Sequence, residues 1–259
     1  MVSLVSRVKE ELTLEKVLAT AIKTPGVKIR RDVFLRKELK KYYKEDVIEE
    51  AIRYNPAKAG IPKSTINRIA KTVIDYETKR VSMISIVASM PSSAVAAVAA
   101  GAAATDITSY FVHVLRVVQE LAYLYGFEQF DLNGDNVDSE TMDYLLVFIG
   151  VMFDVQGASA TLGKLSAAIA EQVQKKLSQR TFTKGTLLPI IKKIAMKVGV
   201  RMTKQIFADT IASAVPLAGS LLSGGLTYAM FKPNCIKLQK NLMTYKLCDP
   251  DFYQVVAEQ

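Results

Sequence analysis

The chain has 259 residues and a mass of 28.5 kDa, half of its residues are hydrophobic, and its formal net charge is +9. Such a length can bury one substantial core or two small ones, of which one domain is expected, and such a composition excludes general disorder. One histidine and two distant cysteines, Cys235 and Cys248, exclude a disulfide framework and an ordinary zinc site, so neither a metal nor a cofactor is expected.

The opening stretch MVSLVSRVKEELTLEKV is charged from Arg7 onward and lacks the apolar segment of a secretory signal, which points to a cytoplasmic protein. Val8, Leu12, Val17, Leu18 and Ile22 fall on one side of a first helix over 6–23, stopped by Pro25-Gly26. Asp32 is placed to cap a second helix over Val33, Phe34, Leu39 and Tyr43. The basic residues from Lys28 to Lys44 are followed at once by Glu45, Asp46, Glu49 and Glu50, the pattern of a helical face that pairs its own charges. Asn55-Pro56, Gly60 and Pro62 mark a loop. Beyond it Ser64 or Thr65 can cap a long helix with Ile66, Ile69, Ala70, Val73, Ile74, Val81, Ile84 and Val87 on its apolar stripe.

Residues 81–105, VSMISIVASMPSSAVAAVAAGAAAT, carry no charge between Arg80 and Asp106. A bilayer takes about 20 apolar residues to cross, so length alone allows a span. Pro91, the five serines and the dominance of alanine favour instead a helical hairpin buried at the centre of an all-α protein, with membrane insertion as the competing expectation. Ser89, Ser93, Ala97 and Gly101 recur every fourth position and form a smooth ridge on which another helix can pack closely. The helix from Asp106 to Tyr125 then sets Asp106, Ser109, His113, Arg116 and Glu120 on one stripe and Phe111, Val114, Leu115, Val118, Leu121 and Ala122 on the other. Arg116, one turn from His113, disfavours a protonated ring, and the spacing predicts a satisfied, half-buried histidine.

In the loop 126–138, Asp131, Asn133 and Asp135 stand at the first, third and fifth places of a calcium loop. Asn136 replaces the required glycine and Met142 the required glutamate, so a polar turn is expected, with Asp138 or Ser139 capping the next helix. The run Tyr144 to Phe153 is apolar all round and too short to span, which predicts full burial. Gly157 and Gly163 are read as bracketing a turn into a helix that continues to Leu177. The spacing in GASATLGKL does not fit a phosphate-binding loop, and Leu165 replaces its Ser or Thr.

Ten basic residues and a single acid, Glu171, lie between Lys164 and Lys204 and account for the whole charge excess. Pro189 opens a basic helix in which Ile191, Ile194, Val198, Met202 and Ile206 oppose Lys193, Lys197, Arg201 and Lys204, with Lys192 beside them. That pattern suits a helix on an anionic membrane surface and equally the outer helix of a core. Gly199 leans towards the core. Without interleaved aromatics or a known motif it does not suit nucleic acid. A second uncharged run, residues 210–231, echoes the first. Each has Ala-Ser, then a proline (Pro91, Pro216), then a small-residue helix. Gly224, Gly225 and Thr227 of this run are expected to pack on the ridge of the first. Pro233 is read as closing the run, with a last helix carrying Ile236, Leu238 and Leu242 and a short tail from Asp249.

No HExxH, GxSxG, GxGxxG or Cys/His cluster is present, and a Ser or Cys nucleophile would have one histidine to serve it. The segments TPGVKIRRDVFLRKEL (24–39), NPAKAGIP (55–62), the helix around Ile74 and Glu77, TDITSYFVHVLRVVQELAYLYGF (105–127), FIGVMFDVQGA (148–158) and GGLTYAMFKP (224–233) resemble, in order, the EcsC-like family of bacterial proteins. The chain departs from that family's pattern at Pro91-Ser92-Ser93 and Ala104-Thr105-Asp106. The resemblance implies a helical, mainly cytosolic bacterial protein with an apolar small-residue hub and a membrane-associated role linked to transport or secretion. It also implies that a shared polar site would use Asp106, Tyr110, Arg116 and Gln119, with His113 between them.

The expectation is therefore a single all-α domain over 1–259, with N-terminal helices in 1–62, a core of two packed small-residue hairpins in 63–248 and a tail in 249–259. Its function is read as non-enzymatic: docking on an anionic membrane surface, at the inner face of the cell membrane, or on a protein partner through Lys192, Lys193, Lys197, Arg201 and Lys204. Two alternatives stand beside it, a binding module for an apolar small molecule or lipid between the hairpins, and an enzyme using Asp106, His113 and Arg116.

Overall fold

Hydrophobic periodicity of three to four residues sets the architecture, and every regular element among the described residues is helical. A computed structural model of the chain describes residues 14–88, 99–132, 137, 139–175, 193–197, 199–200 and 219–254, with side chains outside 83–88, 99–107 and 219–230. In chain order these form α1 (Leu14–Lys23), α2 (Arg31–Leu39), α3 (Glu45–Arg53), α4 (Lys63–Ala88), α5 (Ala99–Leu124), α6 (Ser139–Met152), α7 (Ala158–Gln174), α8 (Gly219–Leu242), a 3-10 turn (Lys246–Cys248) and α9 (Pro250–Gln254). Residues 193–197 and 199–200 are helical as well.

Helix α5 is the centre. It packs against α1, α2, α4, α6 and α8, while α4 also lies along α8 and α6 pairs with α7. The apolar stripe expected on α4 is present as far as Val81, with Ile66, Ile69, Ala70, Val73, Ile74 and Val81 buried, while the side chains of Ile84 and Val87 lie outside the described residues. On α5 burial goes further than a two-stripe reading allows, because His113, Gln119 and Glu120 are buried together with Phe111, Val114, Leu115, Val117, Val118 and Leu121. Buried residues from Leu14 to Cys248 form one contiguous core. Both cysteines are free and buried within it. No helix among the described residues is long and apolar enough to cross a membrane.

Several boundaries differ from the sequence reading, each for a physical reason. Helix α2 begins at Arg31 and not after Asp32: Arg30 takes the cap position, and Asp32 sits in the first turn, paired with Arg30 at 2.5 Å, where its charge suits the helix dipole. Val33 is 53% exposed. The charges of 28–50 pair partly within one stretch, where Lys41 meets Glu38 at 2.6 Å, and partly across the turn at 40–44, where Arg36 of α2 reaches Glu45 and Glu49 of α3. Helix α4 starts at Lys63, one residue ahead of the expected caps. Gly163 lies inside α7, which ends at Gln174. Only Gly157 serves the turn, as a left-handed N-cap with φ 90°.

Pro233 does not end a helix. Helix α8 runs through it because Phe231, Cys235, Leu238 and Leu242 continue one buried stripe across the proline, and that packing outweighs a mid-helix proline cost of about 3 kcal/mol. The segment after Asp249 is likewise more than a tail. Pro250 opens α9, and the Tyr253 hydroxyl accepts from Asn55 Nδ2 at 3.0 Å and donates to the Leu247 carbonyl at 3.2 Å.

Candidate functional site

The polar residues of α5 converge on a residue of α4. Glu77 falls on the α4 stripe, four residues from both Val73 and Val81, and its side chain is wholly buried. His113 Nδ1 lies 2.6 Å from Glu77 Oε2, and Arg116 Nε donates to Glu77 Oε1 at 3.0 Å. Arg80 stands one turn along α4, 3.8 Å from the same oxygen. Burial alone would raise the Glu77 carboxyl, but the His113 hydrogen bond and the Arg116 charge hold it below the ordinary carboxylate value. An ionised acceptor requires His113 Nδ1 to carry the proton of that bond.

From there the cluster ties down the extended segment between α1 and α2. Arg116 Nη1 donates to the Gly26 carbonyl. Gln119 Nε2 donates to the carbonyls of Val27 and Leu115, both at 2.9 Å, and Gln119 Oε1 accepts from the Ile29 amide at 3.0 Å. Farther on, the Arg31 amide donates to Gln129 Oε1 at 3.0 Å. A segment without helix or strand partners needs such side chains to satisfy its backbone. Glu120 completes the group, 3.5 Å from Arg116 Nη2. Its Oε2 is buried and meets no donor among the described residues, and burial beside Glu77 raises its pKa to about 8 despite Arg116.

Of the expected polar site, then, Arg116, Gln119 and His113 share one region. The Tyr110 ring lies edge-on to Phe111 at 5.6 Å and to Phe231 at 5.8 Å. The side chain of Asp106 lies outside the described residues. His113 is 2% exposed, not half-buried, and its governing neighbour is Glu77 rather than Arg116. Glu77 and Glu120 were missing from the expected site. The signal for Glu77 was its register, a carboxylate on a stripe otherwise apolar. Chemically the cluster offers paired charges closed onto one another and onto main chain.

The ridge residues Ser89, Ser93 and Ala97, and the side chains at Gly101, Gly224, Gly225 and Thr227, lie outside the described residues. So do Lys192, Arg201 and Lys204, together with Asn133, Asp135, Asn136 and Asp138 of the calcium-like loop. No group of three or more His, Cys, Asp or Glu among the described residues is placed to hold a metal ion.

What is described of the basic helix is informative. Ile194 and Ala195 are buried, and the Ile194 Cδ1 methyl approaches Gly157 at the start of α7. Lys193 and Lys197 are exposed. So are Met196 and Val200, at 64% and 59%. Spacings of three and four residues put Lys193, Met196, Lys197 and Val200 on one outward face. Sequence reading had assigned that face to lysine and arginine alone. Comparison of the chain with protein-family models, with curated proteins and with solved structures finds no match.

Proposed function

We propose that the protein is a peripheral membrane protein which docks on anionic lipid through the outward face that Lys193, Met196, Lys197 and Val200 share. The observation that carries this reading is the exposure of Met196 and Val200 beside Lys193 and Lys197. Large apolar side chains set among lysines, over a buried inner face, are what an interfacial helix presents to headgroups and acyl chains. The two lysines contribute about 1 kcal/mol each near an anionic surface. Burying the two apolar side chains adds about 1.5–3 kcal/mol each. Those terms together correspond to roughly millimolar to micromolar affinity, reversible and sensitive to salt.

The reading is non-catalytic. It is supported by the burial of Glu77 and His113 against one another, with the partly exposed Arg116 closing over the same carboxylate. It includes a position at the inner face of the cell membrane, and it fits the resemblance of the ordered segments to the EcsC-like family. Flotation with phosphatidylcholine vesicles, with and without phosphatidylserine, tests it. The expected result is binding to the anionic vesicles alone, lost at high salt and weakened in a Met196→Ser, Val200→Ser double variant. Equal recovery with both vesicle types, or none with either at low salt, rejects lipid docking and leaves an acidic protein partner for that face.

A further inference from the structure

We infer that the recess between the loop following α5 and helices α6 and α7 is a binding site for a small organic polycation, an aliphatic di- or polyamine. The recess has a volume of about 470 Å³, within the range of ligand-binding cavities. Its floor is apolar: Phe127, Phe148, Leu165 and Ile169 are buried there. The Phe148 ring stands edge-on to Phe127 at 5.0 Å and to Phe130 at 5.5 Å, and Tyr144 adds a further ring. Around this floor are three carboxylates, Glu128, Asp131 and Glu140, and no Lys, Arg or His is among the described lining residues. In a chain of net charge +9 that is a local inversion of sign.

Among the described residues, the cation that acts on Glu128 from behind the recess, Arg31, is committed elsewhere. Arg31 donates through Nε to the Phe127 carbonyl, through Nη1 to Ile52, and through Nη2 to Ala51 and Tyr54. Glu128 Oε1 consequently has no donor among the described residues. Burial raises this carboxyl to about 7 against the attraction of Arg31, and an ammonium group nearby would restore its charged form.

The carboxylates do not converge on a point suited to a metal ion. Separated anions around aromatic rings suit ammonium groups spaced by methylenes. Each ammonium meets a carboxylate or a ring face, while the methylenes lie on Phe148, Leu165 and Ile169. The site is independent of the lipid-docking face.

Isothermal titration of the full chain at neutral pH with spermidine, with hexanediol as a neutral chain and with calcium tests the inference. Saturable binding is expected for spermidine alone. A Glu128→Gln, Glu140→Gln double variant with unchanged circular dichroism should bind roughly tenfold or more weakly. If that variant loses helicity, Asp131→Asn at the exposed rim replaces it, with a loss of roughly threefold expected. Absence of saturable spermidine binding, calcium competing as well as spermidine, or unchanged affinity in a folded carboxamide variant overturns the inference.

Discussion

His113 Nδ1 stands 2.6 Å from Glu77 Oε2 across the α4–α5 interface, with both side chains out of reach of water. The second oxygen of the same carboxylate receives Arg116 from the next turn of α5. Glu77 thus joins the two helices at the level where the apolar stripe of α4 is broken. Arg116 carries the linkage on to the main chain at Gly26. Taking a carboxylate out of water costs several kcal/mol, and it is held there only because two donors meet it.

Removing the charge while keeping the shape exposes that dependence. Glu77→Gln should lower stability by about 3–5 kcal/mol, since Arg116 then lacks its buried counter-charge and His113 its ionised acceptor. Urea denaturation followed by circular dichroism measures it. Glu77→Leu combined with His113→Leu should cost less than the two single changes together, by about 0.5–3 kcal/mol. Strict additivity of the two would mean that the pair is not coupled.

Glu120 makes stability depend on pH in a definite direction. At acidic pH below the ordinary carboxyl value of 4.5 the group is protonated whether the chain is folded or unfolded, and it contributes no difference. Between 4.5 and about 8 the folded chain retains a proton that the unfolded chain has released, so stability declines as pH rises through that window. Burial and Glu77 are the main causes, opposed by Arg116 of its own helix and Lys37 of α2, with Glu38 adding a smaller push in the same direction. Glu77, whose pKa is lowered, acts in the opposite sense and loses its contribution only on acidification below the ordinary value. Chemical denaturation of Glu120→Gln should therefore show a flatter profile than wild type from pH 5 to 8, with the variant the more stable at the alkaline end. A slope equal to that of wild type would exclude Glu120 as its source.

The helical class and the stripe of α4 were legible because both rest on period and composition, which a single sequence displays. Ile66, Ile69, Ala70, Val73 and Ile74 are buried as their spacing requires. The continuation of α8 through Pro233 was not legible, because the local cost of proline is visible in sequence and the packing of Phe231 and Cys235 that offsets it is not. The depth of the polar stripe on α5, with His113 expected only half-buried, was not legible for a similar reason. His113 and Gln119 are buried because α4 and the 26–31 segment cover them, and those contacts span 36 residues or more of chain. Met196 and Val200 show the converse: apolar residues of a helix face that sequence alone would hide and that the fold leaves outside.

Arg31 supports the fold by geometry more than by charge. Its guanidinium donates to four carbonyls, at Phe127, Ile52, Ala51 and Tyr54, so it closes the end of α3 and the loop after α5 around the start of α2. Burial lowers its pKa to about 10, which still leaves it charged. A lysine has the charge but not the planar fork. Arg31→Lys should cost about 2–4 kcal/mol, since carbonyls left without donors in a buried place carry about 1–3 kcal/mol each. The fall in thermal midpoint should be near that of Arg31→Met. A lysine variant close to wild type would show that charge, and not the fork, is what the site requires.

Two glycines with left-handed backbone separate strain from contact. Gly126 ends α5 with φ 95°, its amide bonding to the Tyr123 carbonyl and the Phe127 amide reaching back to Ala122. A Cβ at this position would lie 3.0 Å from Leu247 Cγ, 3.2 Å from the Leu247 carbonyl oxygen and 3.3 Å from Asn55 Cβ. Gly60, with φ 74°, has nothing within 4 Å of the same added atom. Gly60→Ala should thus cost only the backbone term, about 1 kcal/mol. Gly126→Ala should cost about 1–2 kcal/mol more, because the turn at Leu247 must shift, and main chain cannot rotate away as a side-chain tip can. Equal losses in the two variants, read from denaturant midpoints, would show that the 3-10 turn at Lys246–Cys248 yields freely and does not fix the end of α5.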